Sequence, residues 1–275
     1  MKLVATLLSI ALIVSFERAK ETNYTASTPA APLVRTFLGI SLTDSIDFIR
    51  WKLSLTDEKY SLVCSYGIGK PNTNGFYDEK KVVLSGIVKS ESNNYILENG
   101  NHVLKLVELN ANLLHILNND NTLLIGGGGW SYALNNMTPS PTNKVNMIAK
   151  QTSFKDSMAF QGRTPCGDFS INPPGNGCIK MKWYIVLYAN ADKNEPTTYL
   201  LNRSHKLPLE FPGKKGTWKI ITGKDNRIIY ELTPDKETTP TYLLKLDEGV
   251  LIFTDAKGNL LVGNHDFSYT LNRCF

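Results

Sequence analysis

Residues 113–136 read LLHILNNDNTLLIGGGGWSYALNN, and residues 250–273 read VLIFTDAKGNLLVGNHDFSYTLNR. A shift of 137 lays Leu123 on Leu260, Leu124 on Leu261 and Gly126 on Gly263. The same shift lays Ser131, Tyr132, Leu134 and Asn135 on Ser268, Tyr269, Leu271 and Asn272. Self-similarity of this kind means that one structural unit occurs twice. Further matches run upstream in the same order: LKL at 104–106 with LKL at 244–246, GIVK at 86–89 with GTWK at 216–219, IRWK at 49–52 with IKMK at 179–182, and Phe37-x-Gly39 with Phe160-x-Gly162. The offset changes between blocks, where turns absorb insertions.

Each copy has one local grammar. Apolar residues alternate or cluster in short runs at 49–55, 60–66, 82–88, 103–109 and 113–117, separated by turn formers such as NNDN at 118–121 and DAKGN at 255–259. That spacing predicts consecutive antiparallel strands joined by tight turns. Sustained helical periodicity is rare, and Pro139, Pro141, Pro173 and Pro174 interrupt candidate helices. The expected fold is all-β, with about six to eight strands per unit closed into a small up-and-down barrel, since closure removes exposed edges.

The chain has 275 residues, of which 42% are hydrophobic and 20% charged, as in a globular protein. Thirty basic and 25 acidic residues leave a net charge of +5 with no dense basic stripe, which excludes a nucleic-acid binder. Lys2 precedes an apolar run from Leu3 to Phe16, too short to span a bilayer but suited to a secretory signal. Residues 1–20 are therefore expected to be a signal peptide, and 21–32 (ETNYTASTPAAP) a polar spacer. The first barrel is expected at 33–136, a linker at 137–153 and the second barrel at 154–275, giving a soluble periplasmic or secreted product without a membrane span.

The second unit carries a more particular order of motifs: FQGRTPCGDF at 160–169, CIKMKWYIVLY at 178–188, GTWK at 216–219, TYLLKLDEG at 241–249 and FTDAKGNLL at 253–261. This order resembles the N-terminal domain of the NlpE family, bacterial envelope lipoproteins of copper homeostasis and stress sensing. The likeness covers 154–275 and, in worn form, 33–136. It implies lipocalin-like barrels in the cell envelope and a non-enzymatic role in binding, or in stress or copper sensing, through an envelope protein or a small ligand. The alternative is a lipocalin-like carrier of a small apolar ligand. Two departures stand out. Eleven residues separate Cys166 from Cys178, where the family has two, and no lipobox cysteine follows the apolar run. In the first unit Leu42 and Asp44 fall near the places of Pro165 and Cys166.

Two uses remain open for Cys166 and Cys178. A disulfide would close their loop and contribute about 2–3 kcal/mol. Alternatively, two thiolates with Met158 or Met181 would suit Cu(I). No other cofactor is expected. Cys64 reads as a core thiol, and Cys274 as a possible partner for a loop cysteine. Trp51, Trp183, Trp218, Tyr132 and Tyr269 are expected to fill the barrel interiors or line a ligand cavity, with Trp130 grouped among them. His265, Asp266 and Ser268 suggest a hydrolytic dyad, but neighbouring strand residues face opposite sides and no G-x-S-x-G elbow is present, so no catalytic residue is expected. The glycines at 126–129 lack a P-loop pattern and read as a bulge or wide turn.

Overall fold

The structure is a computed structural model describing residues 21–71, 73–142, 144–166, 178–204, 213–236 and 239–274. The expected signal segment, 1–20, lies outside the described residues. Eight strands make the first unit: β1 (Thr22–Thr28), β2 (Phe48–Leu55), β3 (Lys59–Gly67), β4 (Lys80–Glu91), β5 (Asn94–Asn99), β6 (His102–Asn110), β7 (Leu113–Ile116) and β8 (Ala133–Asn136). Eight more make the second: β9 (Ser157–Thr164), β10 (Met181–Asn190), β11 (Glu195–Ser204), β12 (Lys214–Thr222), β13 (Ile228–Pro234), β14 (Thr241–Lys245), β15 (Val250–Thr254) and β16 (Thr270–Arg273). Each strand pairs antiparallel with the next. β8 returns to β1 through Tyr24 opposite Asn136, and β16 to β9 through Phe160 opposite Arg273. Both sheets are closed barrels, as expected from the sequence.

β2 and β10 bury alternate residues, as strands with one face inward should. Trp51, Leu53, Leu62, Leu97, Leu104 and Leu106 fill the first barrel, and Trp183, Ile185, Leu232, Phe253 and Leu271 the second. The alternation lapses in β7, β8 and β15, where every residue is buried. Leu114 and Ile116 point into the first barrel, whereas Leu113 and Leu117, one position out of phase, join the cluster that holds the second barrel's core. These strands are covered on both faces: inside by their own barrel and outside by the other.

Strand register tests the repeat. Tyr24 and Phe160 hold the same place, as do Ala26 and Gly162, which lie opposite Trp51 and Trp183. The 137 block and the GIVK/GTWK match both hold in register. Three expected alignments are corrected. IRWK matches MKWY at 181–184, two positions on, because a slip of two keeps every side chain on its face and leaves the pattern unchanged. Leu106 matches Leu243 through their partners Ile116 and Phe253, so the two LKL triplets are not equivalent. Phe160-x-Gly162 matches Tyr24-x-Ala26, not Phe37-x-Gly39.

The segment 21–32 is likewise not the expected polar spacer. Residues 22–28 are β1, which pairs with β2 along seven positions and is buried from Tyr24 to Thr28. Its threonines are β-branched strand formers, and its short side chains fit where both faces are covered. The first barrel thus begins at β1 rather than at residue 33. Phe37 belongs instead to α1 (Pro32–Leu38), which starts at a proline, stops at Gly39 with φ 70°, and packs Val34, Phe37 and Leu38 into the first barrel's cluster. By register Pro165 and Cys166 correspond to Pro29 and Ala30, and Cys178 to Ile46; Leu42 and Asp44 are not their counterparts. Residues 137–153 carry no strand or helix among those described and are tied down at both ends. The Asn146 amide donates to the Leu109 carbonyl, and Lys245 donates to the Lys150 carbonyl. No described helix is long and apolar enough to cross a membrane.

Candidate functional site

The expected interior residues divide by place. Trp51 and Trp183 are buried and donate from Nε1 to Thr28 and Thr164 at 2.8 Å each, one bond made twice in equivalent positions. Trp218 donates to the Tyr188 carbonyl at 2.7 Å and packs edge-on to Tyr230. Tyr132 and Tyr269 are almost wholly buried, and burial pushes the Tyr132 phenol far above its ordinary range. Trp130 does not fill a barrel interior: it joins Phe48, Phe76 and Phe267 in a separate aromatic cluster between the barrels and lines a cavity there.

Cys166 and Cys178 are joined as a disulfide, Cα atoms 5.9 Å apart, closing a loop whose residues 167–177 lie outside those described. Cys64 is a buried free thiol whose pKa burial pushes up, and Cys274 is also free. Met181 sits opposite Thr164, near the disulfide. Met158 sits opposite Leu187, at the far end of β9, about 20 Å away at the usual strand rise. The bonded sulfurs offer no thiolate, and only one of the two methionines is at their end of the barrel. Among the described residues no three His, Cys, Asp or Glu side chains converge.

A small set of buried polar groups meets at the seam between the barrels. Gly263 donates its amide to Asn135 Oδ1 at 2.9 Å, and Asn135 Nδ2 donates to the carbonyls of Asn264 (2.9 Å) and Phe267 (3.2 Å). In return Gly126 donates to Asn272 Oδ1 at 2.7 Å, and Asn272 Nδ2 donates to the Trp130 carbonyl at 3.2 Å. The hydroxyls of Ser131 and Ser268 share a 2.7 Å bond between these pairs. Each partner is the 137 counterpart of the other, so the seam has pseudo-twofold symmetry, as in an isologous dimer. Gly126 and Gly263 are required there: a Cβ would stand 1.9 Å from the carbonyl oxygens of Trp130 and Phe267, respectively.

Aromatic rings cover one side of this polar centre. Trp130 stacks on Phe48 at 4.5 Å and on Phe267 at 5.4 Å, and the Arg163 guanidinium lies 4.5 Å from the Trp130 ring centre. Lys180 Nζ stands 5.9 Å from Trp130 and 5.8 Å from Phe267. A cavity of about 480 Å³ opens here, lined by Asp47, Lys70, Gly127, Gly128, Arg163 and Lys180, among others. On the other side Asp266 pairs with Arg50 at 3.0 Å and accepts from Asn74 at 2.8 Å, next to a cavity of about 460 Å³. Asp266 is thus a structural counter-ion. Ser268 is held by Ser131 and Thr270, so the hydrolase constellation has no exposed nucleophile. A third cavity, about 870 Å³, lies where residues 139–142 face Arg227, Lys257 and Leu260.

Sequence reasoning placed SYxLN in the repeat but did not find Arg163 or Lys180. They sit 34 and 51 positions from Gly129, on the other barrel, and no local motif links them to the glycines. Comparison with protein-family models, curated proteins and solved structures finds no match to this chain.

Proposed function

We propose that this is a non-catalytic binding protein of the cell envelope whose working surface is the seam between its barrels. The observation that carries this reading is the contrast between filled interiors and furrowed seam. Tryptophan, tyrosine and leucine occupy the interior positions, while the cavities beside Asp266 and beside Arg163 lie between the barrels. Ligand sites form preferentially at such domain boundaries. The apolar leader and the Cys166–Cys178 bond support export, because disulfides persist in oxidising compartments. The motif order of 160–261 supports an NlpE-like envelope role. Copper handling would first require reduction of the disulfide.

Two measurements test the reading. Fractionation of the producing cells should find the chain outside the cytoplasm, with Cys166 and Cys178 resistant to thiol alkylation; a reduced cytoplasmic chain would contradict export. An uncharged apolar fluorescent probe, titrated while tryptophan emission is followed, should give no stoichiometric complex. Saturable quenching at one probe per barrel would favour the apolar carrier instead.

A further inference from the structure

The pseudo-twofold relation matches residues across the seam: Arg50 with Lys182, Ser27 with Arg163, Phe48 with Lys180, and Asp266 with Gly129. On one side a cation meets a carboxylate, Arg50 with Asp266 at 3.0 Å. On the equivalent side the carboxylate's place is taken by Gly129, and the second barrel supplies three cations: Arg163, Lys180 and Lys182. None of the three is in an ion pair with a described carboxylate. Arg163 and Lys180 lie over the Trp130 ring and Lys180 also over Phe267, with Asp47 and Asp266 acting on them only from beyond ion-pair distance. Two cations buried more deeply have partners within the chain: Lys245 pairs with Glu248 and the Lys150 carbonyl, and Arg35 donates to the carbonyls of Ser41 and Asp44.

We propose that the cavity beside Arg163 and Lys180 is an oxyanion site, where a carboxylate or phosphate group from outside the chain takes the role that Asp266 plays across the pseudo-twofold axis. Three of its lining side chains are cationic (Lys70, Arg163 and Lys180) and one, Asp47, is a carboxylate. Asp47 is partly engaged, accepting the Gly69 amide at 2.7 Å. Gly127 and Gly128 line the cavity, so its wall there carries no side chain to exclude a ligand. Burial, followed by the charges of Arg163 and Lys182, lowers the Lys180 pKa against a smaller opposing pull from Asp266, so an arriving anion relieves repulsion that Asp266 does not cancel. Arg163 offers a planar fork suited to either oxyanion.

This inference rests on the seam as the binding surface and narrows it to one ligand chemistry. Inorganic phosphate and acetate would be titrated separately into the intact protein at low salt, with melting temperature and calorimetry as readouts. Either anion should bind saturably and raise the melting temperature, and salt should weaken it; the tighter of the two identifies the class. Arg163→Gln and Lys180→Gln should each weaken binding about tenfold or more, consistent with loss of a charge-assisted bond. Lys59→Gln, an exposed control, should change nothing. Without anion, each site variant loses a ring contact as well as a cation repelled by its neighbours, so anion affinity rather than melting temperature decides the test. A lower melting point with unchanged anion binding would make Arg163 a packing residue and overturn the proposal. So would the absence of saturable binding by either anion; the titration with the uncharged apolar probe would still judge the seam reading separately.

Discussion

Asn135 and Asn272 each satisfy an amide and a carbonyl belonging to the opposite barrel. Truncation would leave those buried backbone groups unpaired, at about 1–3 kcal/mol per site. Asn135→Ala and Asn272→Ala should each lower stability by about 2 kcal/mol in urea denaturation; a loss under 0.5 kcal/mol in both would deny the seam its polar centre. His115 adds a pH-dependent contribution at the same seam. It lies between Leu113 and Leu117 on the outward face, fully buried, with Nδ1 against the Ile116 carbonyl at 2.8 Å and Nε2 unpartnered among the described residues. Burial lowers its pKa from 6.5 to about 4. The unfolded chain therefore binds the proton first. Stability should be complete above about pH 6.5 and fall as pH drops toward 4, losing about 3 kcal/mol over that window. In parallel denaturation series, His115→Leu should flatten that slope; an unchanged slope would place the titration elsewhere.

The loops and strand ends show which parts of the structure the sequence made legible. SYxLN stands out because its residues serve the same seam from both sides, so neither copy can drift alone. Interior alternation identifies β2, β3 and β10 for the same reason: one face is inward. β1 was hidden because TNYTAST, covered on both faces by tight neighbours, has the composition of a spacer. The cationic cavity was hidden because its glycines and cations meet only after the barrels dock. Within the glycine loop, position matters more than residue type. Gly126→Ala forces a Cβ against the Trp130 carbonyl and should cost about 2 kcal/mol or more, whereas Gly127→Ala meets nothing within 4 Å and should be nearly neutral. Equal melting points for the two would contradict the loop geometry. The Cys166–Cys178 staple ties the ends of β9 and β10, next to Arg163 and Lys180. Replacing both cysteines by serine should cost about 2–3 kcal/mol and also weaken anion binding, by loosening the strand ends that carry the two cations.

At the scale of the molecule, two filled barrels face each other through the strands that close them, joined by a segment from 137 to 153. If the seam is the organising feature, that connection is dispensable once the barrels have docked. A protease site placed at 138–141, in the exposed part of the segment, tests this directly. After cleavage without reductant, the two halves should co-elute as one species of the parent's size at micromolar concentration. Adding Asn135→Ala together with Asn272→Ala should make them separate. Halves that part at once from the otherwise unaltered chain, each still folded, would contradict the central claim that the barrels form one unit through their pseudo-twofold seam.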